Sequence, residues 1–277
     1  MPLVSVIIPT FNRSEKLVRA VESVISQHYN PLEILVVDDG STDTTYKDLL
    51  KFGKSITYIR LNKNSGVSVA RNTGINNATA PWIAFLDSDD YWLKDKLHIQ
   101  MAFIRNNPET IACQTDEIWI RNGTRVNPKI KHNKPSGYIF HQSLKLCLVS
   151  PSSVLIKKSV FSETGMFDES LPAAEDYDLW LRISCRYPIY LIDKKLIIKE
   201  GGHHDQLSKK FHAMDRFRIA SITKLIQSGV LSLNQKNAAL NELKHKCSIY
   251  AHGCLKRGKA QEAAFYQALP DMLENDQ

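Results

Sequence analysis

The stretch FLDSDDYW (85–92) places Asp87, Asp89 and Asp90 within four positions, directly after the apolar run WIAFL (82–86). Two carboxylates separated by one residue in an extended segment project the same way, and their repulsion calls for a cation. A divalent ion is the simplest one. Mg²⁺ and Mn²⁺ take hard oxygen ligands and usually complete their coordination on substrate phosphates. A chain that holds Mn²⁺ or Mg²⁺ through Asp87 and Asp89 is therefore prepared for a diphosphate. The bland alternative is an acidic loop in which Asp90 caps the following helix. The end of a buried strand, beside a second acidic strand end at Asp38 and Asp39, favours the metal.

The elements that must carry these residues show in the first hundred positions. LVSVIIP (3–9), EILVVDD (33–39), ITYIRL (56–61) and WIAFLD (82–87) are short, nearly continuous apolar runs, the pattern of strands buried on both faces. Between them, Leu17, Val18, Val21, Val24 and Ile25 share a helical face opened by Ser14 as a cap, and Val67, Ala70 and Gly74 share another. This alternation predicts an α/β fold with a mainly parallel sheet covered by helices on both sides. Ligands in such sheets bind beyond the carboxyl ends of the strands. That rule selects PTFNR (9–13), with Pro9, Thr10 and Asn12, then DDGSTD (38–43), and DSDD (87–90), with Ser88.

Further along, EIWIRNGTRV (117–126) reads as a hairpin turning at Asn122-Gly123. SPSSVLIKKSVFSETG (150–165) reads as a strand and a short helix, AEDYDLWLRISCR (174–186) as a helix and YLIDKKLIIKEGGHH (190–204) as strand. From Leu207 the pattern is helical, so residues 1–205 are expected as one domain and 206–277 as a helical C-terminal extension.

The chain of 277 residues is 43% hydrophobic, enough for a real core, and carries a net charge of +7. No apolar run approaches the ~20 residues of a membrane span, and no basic region precedes the first apolar stretch. The five scattered cysteines include no C-x-x-C, which argues against a disulfide framework or a zinc site and fits reduced thiols in a cytoplasm. Between Arg121 and Val160 there are eight Lys or Arg and no Asp or Glu. This electropositive segment suggests either a solvated surface or a face for an anionic partner, such as an acidic glycan or a membrane phosphate. No nucleic-acid partner is expected.

VSVIIPTFNR, EILVVDDGSTD, NSGVSVARNTGI, WIAFLDSDD and EDYDLWLRI follow the order and spacing of family 2 glycosyltransferases, and over residues 3–205 the chain resembles that family and its GT-A fold. The resemblance implies transfer of a sugar from a nucleotide-diphosphate sugar to an acceptor hydroxyl, with inversion. It implies that Thr10, Asp39 and Arg71 contact the nucleotide base and that Asp87 and Asp89 form the diphosphate–metal motif. Some GT-A enzymes also place a histidine from just after the core on the metal. His203 resembles that position, with His204 one residue along.

The chemistry agrees. An Asp and an Arg can read the donor and acceptor groups of uracil, which favours a UDP-sugar. Departure of the diphosphate needs stabilisation of the developing charge, and the acceptor hydroxyl needs a base. Asp176 is the candidate base and Glu175 its nearest competitor. The Q-x-x-R-W segment of processive synthases is absent, so one sugar per encounter is expected, on a glycan or lipid-linked acceptor in cell-surface polysaccharide or lipopolysaccharide synthesis. Enzyme location is expected in the cytoplasm or peripheral to the inner membrane face. Two alternatives are a domain that binds nucleotide-sugar or glycan without turnover, and a sugar nucleotidyltransferase. The latter would need a glycine-rich loop where PTFNRSEK stands.

Overall fold

The computed structural model describes residues 1, 3–202, 211 and 213–275. Its strands are β1 Val4–Thr10, β2 Leu32–Asp38, β3 Thr57–Arg60, β4 Trp82–Phe85, β5 Tyr91–Trp92, β6 Ala112–Arg121, β7 Thr124–Val126, β8 Val154–Lys157 and β9 Tyr190–Gly201. They form one sheet in the order β3-β2-β1-β4-β8-β6-β9-β5, with β7 on β6. β1, β2, β3 and β4 are mutually parallel. β8 is antiparallel to both β4 and β6, so β6 runs with β4, and β9 is parallel to β6. Only β5, β7 and β8 are reversed. The carboxyl ends of β1, β2, β4, β6 and β9 consequently share one edge of the sheet.

Helices α1 Ser14–Ile25, α2 Thr45–Leu49, α3 Val67–Asn77, α4 Lys96–Asn106, α5 Phe140–Lys145, α6 Val160–Thr164 and α7 Glu175–Ser184 surround the sheet. α8 Asp215–Gln227, α9 Leu233–Leu255 and α10 Ala260–Asn275 follow. Successive side chains of a strand face opposite ways, and β1 shows the result. Val4, Val6 and Ile8 pack with α1 and α4 on one side, whereas Ile7 packs with α3 and α7 on the other. α3 lies so close to β1 that a Cβ on Gly74 would meet Ile7 Cγ2 at 2.4 Å. A third core joins α5 and α7 to the three C-terminal helices, through Phe140, Tyr177, Ile222 and Leu243.

The hairpin turns where Asn122-Gly123 predicts, with both residues at positive φ (49° and 76°). Several local expectations need correction. β3 is an edge strand with Thr57 and Arg60 exposed, because helices cover the sheet centre and leave its margin open. Ser14 does not cap α1. Arg13 occupies the cap position and the Ser14 hydroxyl donates to Asp48. Ile25 is exposed at the helix end. Asp90 caps no helix, since β5 intervenes and α4 begins only at Lys96.

Candidate active site

The three selected loops meet at the shared edge. The Asp39 amide donates to the Thr10 carbonyl at 2.8 Å. Asn12, at φ 50°, donates its amide to Ser41 Oγ (2.9 Å), and its Oδ1 accepts from the Thr42 amide (2.8 Å). This stitches the end of β1 to the end of β2. Arg13 reaches Asp89 Oδ2 at 2.9 Å and so joins β1 to the loop after β4. Pro9 pairs with Val37 one residue before the β1 ladder ends at Thr10 and Asp38. Thr10 is buried, its hydroxyl without a partner among the described residues, and Ser88 is buried in the β4 loop. Asp39 is buried and accepts from the amides of Ser65 and Gly66 (2.7 and 2.8 Å), which fixes the start of α3. Burial pushes the Asp39 carboxyl above its ordinary value despite those two donors.

α3 carries Arg71 into the centre of the site. One terminal nitrogen lies 2.7 Å from Glu175 Oε1 and the other 2.7 Å from Asp87 Oδ1. The guanidinium carbon stands 5.0 Å from the centroid of the Phe167 ring. Asn72, the next residue on α3, holds Phe167 through its amide and carbonyl. Burial works against ionising Asp87, but Arg71 outweighs it and holds the carboxyl below its ordinary value. At Glu175, burial and then the neighbouring Asp176 prevail over Arg71 and push the carboxyl up.

Glu175 and Asp176 open α7 after Ala174, which adopts a left-handed conformation (φ 60°). The helix is wedged between two cores: Leu179, Trp180 and Ile183 pack on one, and Tyr177 and Leu181 on the other. Consecutive helical residues point about 100° apart. Glu175 therefore faces inward to Arg71, while Asp176 is half-buried and accepts from the Tyr177 amide (2.7 Å). The Cys147 thiol, pushed well up by burial and then by Asp176, lies on the same side.

Beyond the expected residues, the structure adds a half-buried cation. Lys199 on β9 donates to Ser150 Oγ at 3.2 Å. Its pKa is raised because the nearby carboxylates of Glu117, Asp90, Asp87 and Asp176 prevail over burial. Asp90 accepts from Ser152 Oγ (2.7 Å) and the Glu200 amide (3.1 Å), and burial pushes it well above the usual carboxylate range. Ser152 Oγ also accepts from the Asp87 amide (3.1 Å), so Asp90 braces the loop that carries Asp87. A lysine inside the apolar run LIIKE (196–200) was the available signal for Lys199.

The geometry brings together Pro9, Thr10, Asn12, Asp39, Asp87, Ser88, Asp89, Arg71, Glu175 and Asp176. Both terminal nitrogens of Arg71 are engaged by carboxylates, one by Glu175 and the other by Asp87, so it clamps two elements of the site together. His203 and His204 lie outside the described residues.

The donor set fits a hard divalent cation. Asp87 Oδ1 faces Arg71 and Asp89 Oδ2 faces Arg13, which leaves the second oxygen of each carboxylate clear of these ion pairs. Among the described residues, no group of three or more His, Cys, Asp or Glu is arranged to hold a metal. The pair thus matches an ion that takes its remaining ligands from phosphate and water.

Comparison with known proteins agrees with this architecture. The profile of Glycosyl transferase family 2 matches residues 5–165. An uncharacterized glycosyltransferase of Rickettsia felis is 38% identical over 195 residues, covering 70% of this chain and 32% of that protein. The chain thus spans about a third of the length of that relative. The UDP-Glc:α-D-GlcNAc-diphosphoundecaprenol β-1,3-glucosyltransferase WfaP of Escherichia coli is 34% identical over 186 residues, covering 66% of this chain and 70% of that enzyme. Among solved structures, residues 1–349 of S. aureus TarS in complex with UDP-GlcNAc superpose with a TM-score of 0.68 at 19% identity, over 99% of this chain and 92% of that one. By sequence and by fold, the chain belongs to glycosyl transferase family 2.

Proposed function

We propose that this family 2 glycosyltransferase moves one sugar, with inversion, from a uridine diphosphate sugar to a hydroxyl of a lipid-linked or glycan acceptor in cell-surface polysaccharide or lipopolysaccharide synthesis. The observation that carries the reading is the Arg71 clamp. It binds Glu175 and Asp87 and leaves the adjacent Asp176 half-exposed, without a cation in hydrogen-bond contact among the described residues. The names of relatives support the substrate classes: WfaP is named for a UDP-Glc donor and a diphosphoundecaprenol acceptor, and TarS holds UDP-GlcNAc.

In this reading Thr10 and Asp39 hold the base, Asp39 accepting the N–H of uracil. Asp87 and Asp89 would hold Mn²⁺ or Mg²⁺, which supplies Lewis-acid charge at the diphosphate. Asp176 takes the acceptor proton as the acceptor oxygen bonds to the anomeric carbon. The bond from that carbon to the diphosphate oxygen breaks, and its electron pair leaves with the diphosphate. Arg71 keeps Asp87 ionised and α7 in place, so the base side and the donor side move as one unit.

Proton removal belongs to the chemical step, so Asp176→Asn is expected to lower turnover of a UDP-sugar by roughly 10²–10⁴. Calorimetry should find UDP affinity unchanged in the same variant. Normal turnover by Asp176→Asn would overturn the assignment. So would much tighter binding of guanosine or thymidine diphosphate, for the donor.

A further inference from the structure

The basic segment that the reaction leaves unused does not form a single face. Lys134 turns inward, donating to the Thr115 carbonyl (3.0 Å) and pairing with Glu117 at 3.1 Å, and Lys158 donates to the Ala78 carbonyl. The other six stay exposed, and four of them are close in sequence: Arg121 and Arg125 on the β6–β7 hairpin, and Lys129 and Lys131 in the turn that follows. Among the described residues none of these four has a carboxylate partner. Trp119 draws hairpin and turn together. The Arg121 guanidinium carbon is 5.5 Å from its ring centroid on the hairpin, and the His132 ring is 5.2 Å from it in the turn. Burial, followed by the positive fields of Lys131, Arg121 and Lys129, lowers the pKa of His132, so three of the cations converge there. Between Lys129 and Lys131 stands Ile130, 86% exposed.

An isoleucine held in water between unpaired cations needs a surface that is apolar within and anionic at its rim. We propose that the hairpin and its turn dock on an anionic phospholipid bilayer, with Ile130 entering the headgroup region and Arg121, Arg125, Lys129 and Lys131 meeting the phosphates. Topology makes the placement useful. β6 ends at the same sheet edge as β1, β2 and β4, so docking there brings the Asp87 and Asp176 side of the molecule toward the membrane. The inference does not depend on the donor or on turnover.

The test is co-sedimentation of the full chain with vesicles of phosphatidylcholine, with and without phosphatidylglycerol. Binding is expected only with phosphatidylglycerol, and it should weaken as salt screens the charges. Neutralising a basic residue near such a surface costs about fivefold in affinity, so Lys129→Gln with Lys131→Gln should cost about 25-fold. Ile130→Ser, at constant charge, should lower binding several-fold and leave hydrolysis of a soluble donor unaltered. Retention on both vesicle types alike, or undiminished binding of both variants, would overturn the proposal. Loss of binding to a soluble acidic polysaccharide in the lysine variant, with no vesicle binding by the parent, would overturn it in favour of a glycan.

Discussion

Two of the cations that bridge a pair of carboxylates among the described residues, Arg71 and Lys224, invite comparison. Arg71 spans Asp87 and Glu175 at 2.7 Å on each side, and Lys224 of α8 spans Asp168 and Asp178 at 2.6 and 2.7 Å. The distances match but the surroundings do not. The Arg71 side chain is 4% exposed and that of Lys224 is 45% exposed. Asp178 also has Arg182 at 2.7 Å, whereas Glu175 has no second cationic partner among the described residues. The planar fork of an arginine suits two carboxylates in fixed directions, and a lysine on a flexible stem serves where water shares the task. The buried bridge organises the site, and the surface bridge fastens the C-terminal helices to α7.

The contrast sets an order of expected effects. Removing one partner of a buried ion pair leaves an uncompensated charge and costs roughly 3–5 kcal/mol, so Arg71→Met should lower stability by that amount, read as a shifted urea midpoint at neutral pH. It should also abolish turnover. Arg71→Lys keeps the charge without the fork and should recover most of the stability but little of the turnover. A variant Arg71→Met as stable as the parent would end the comparison.

Lys199 tests whether a half-buried lysine can be as consequential when carboxylates surround it. Lys199→Met should lower turnover about tenfold, the effect of roughly 1.4 kcal/mol in the barrier. It should also move the acidic limb of the turnover–pH profile upward, because nearby carboxylates lose the cation that favours their charged forms. A fall in stability with an unmoved profile would reduce Lys199 to a packing residue.

The smallest effect is at the surface bridge. Lys224→Met should cost below about 1 kcal/mol, since Asp178 keeps Arg182 and solvent screens the rest. Burial opposes ionisation of Asp168, but its bonds to Lys224 and Ser170 hold the carboxyl at about 2, against an ordinary 3.8. Its contribution is therefore present above about pH 4 and is lost as pH falls through about 2. Stability measured from pH 5 to 2 should fall less steeply in Lys224→Met than in the parent.

Local pattern carried a large part of this molecule. The apolar runs ending at Thr10, Asp38 and Phe85 read as parallel strands because a strand buried on both faces needs continuous hydrophobicity, and the strand-end rule then found the loops that gather at one edge. Asn122-Gly123 gave its turn because only residues tolerant of positive φ close a two-residue hairpin. Asp87, Asp89, Glu175 and Asp176 stood out as an acidic set from residue type and spacing. Which of them is held and which is clear was decided only by the tertiary structure. Arg71 meets partners 16 and 104 positions away in sequence, and Lys199 sits by Asp90 across 109. Charge compensation acts through space in a low dielectric, so no local periodicity encodes it. The sequence by itself determined the sheet, its acidic edge and the family. The wedging of α7 between two cores turned Glu175 inward to Arg71 and left Asp176 half-buried beside it.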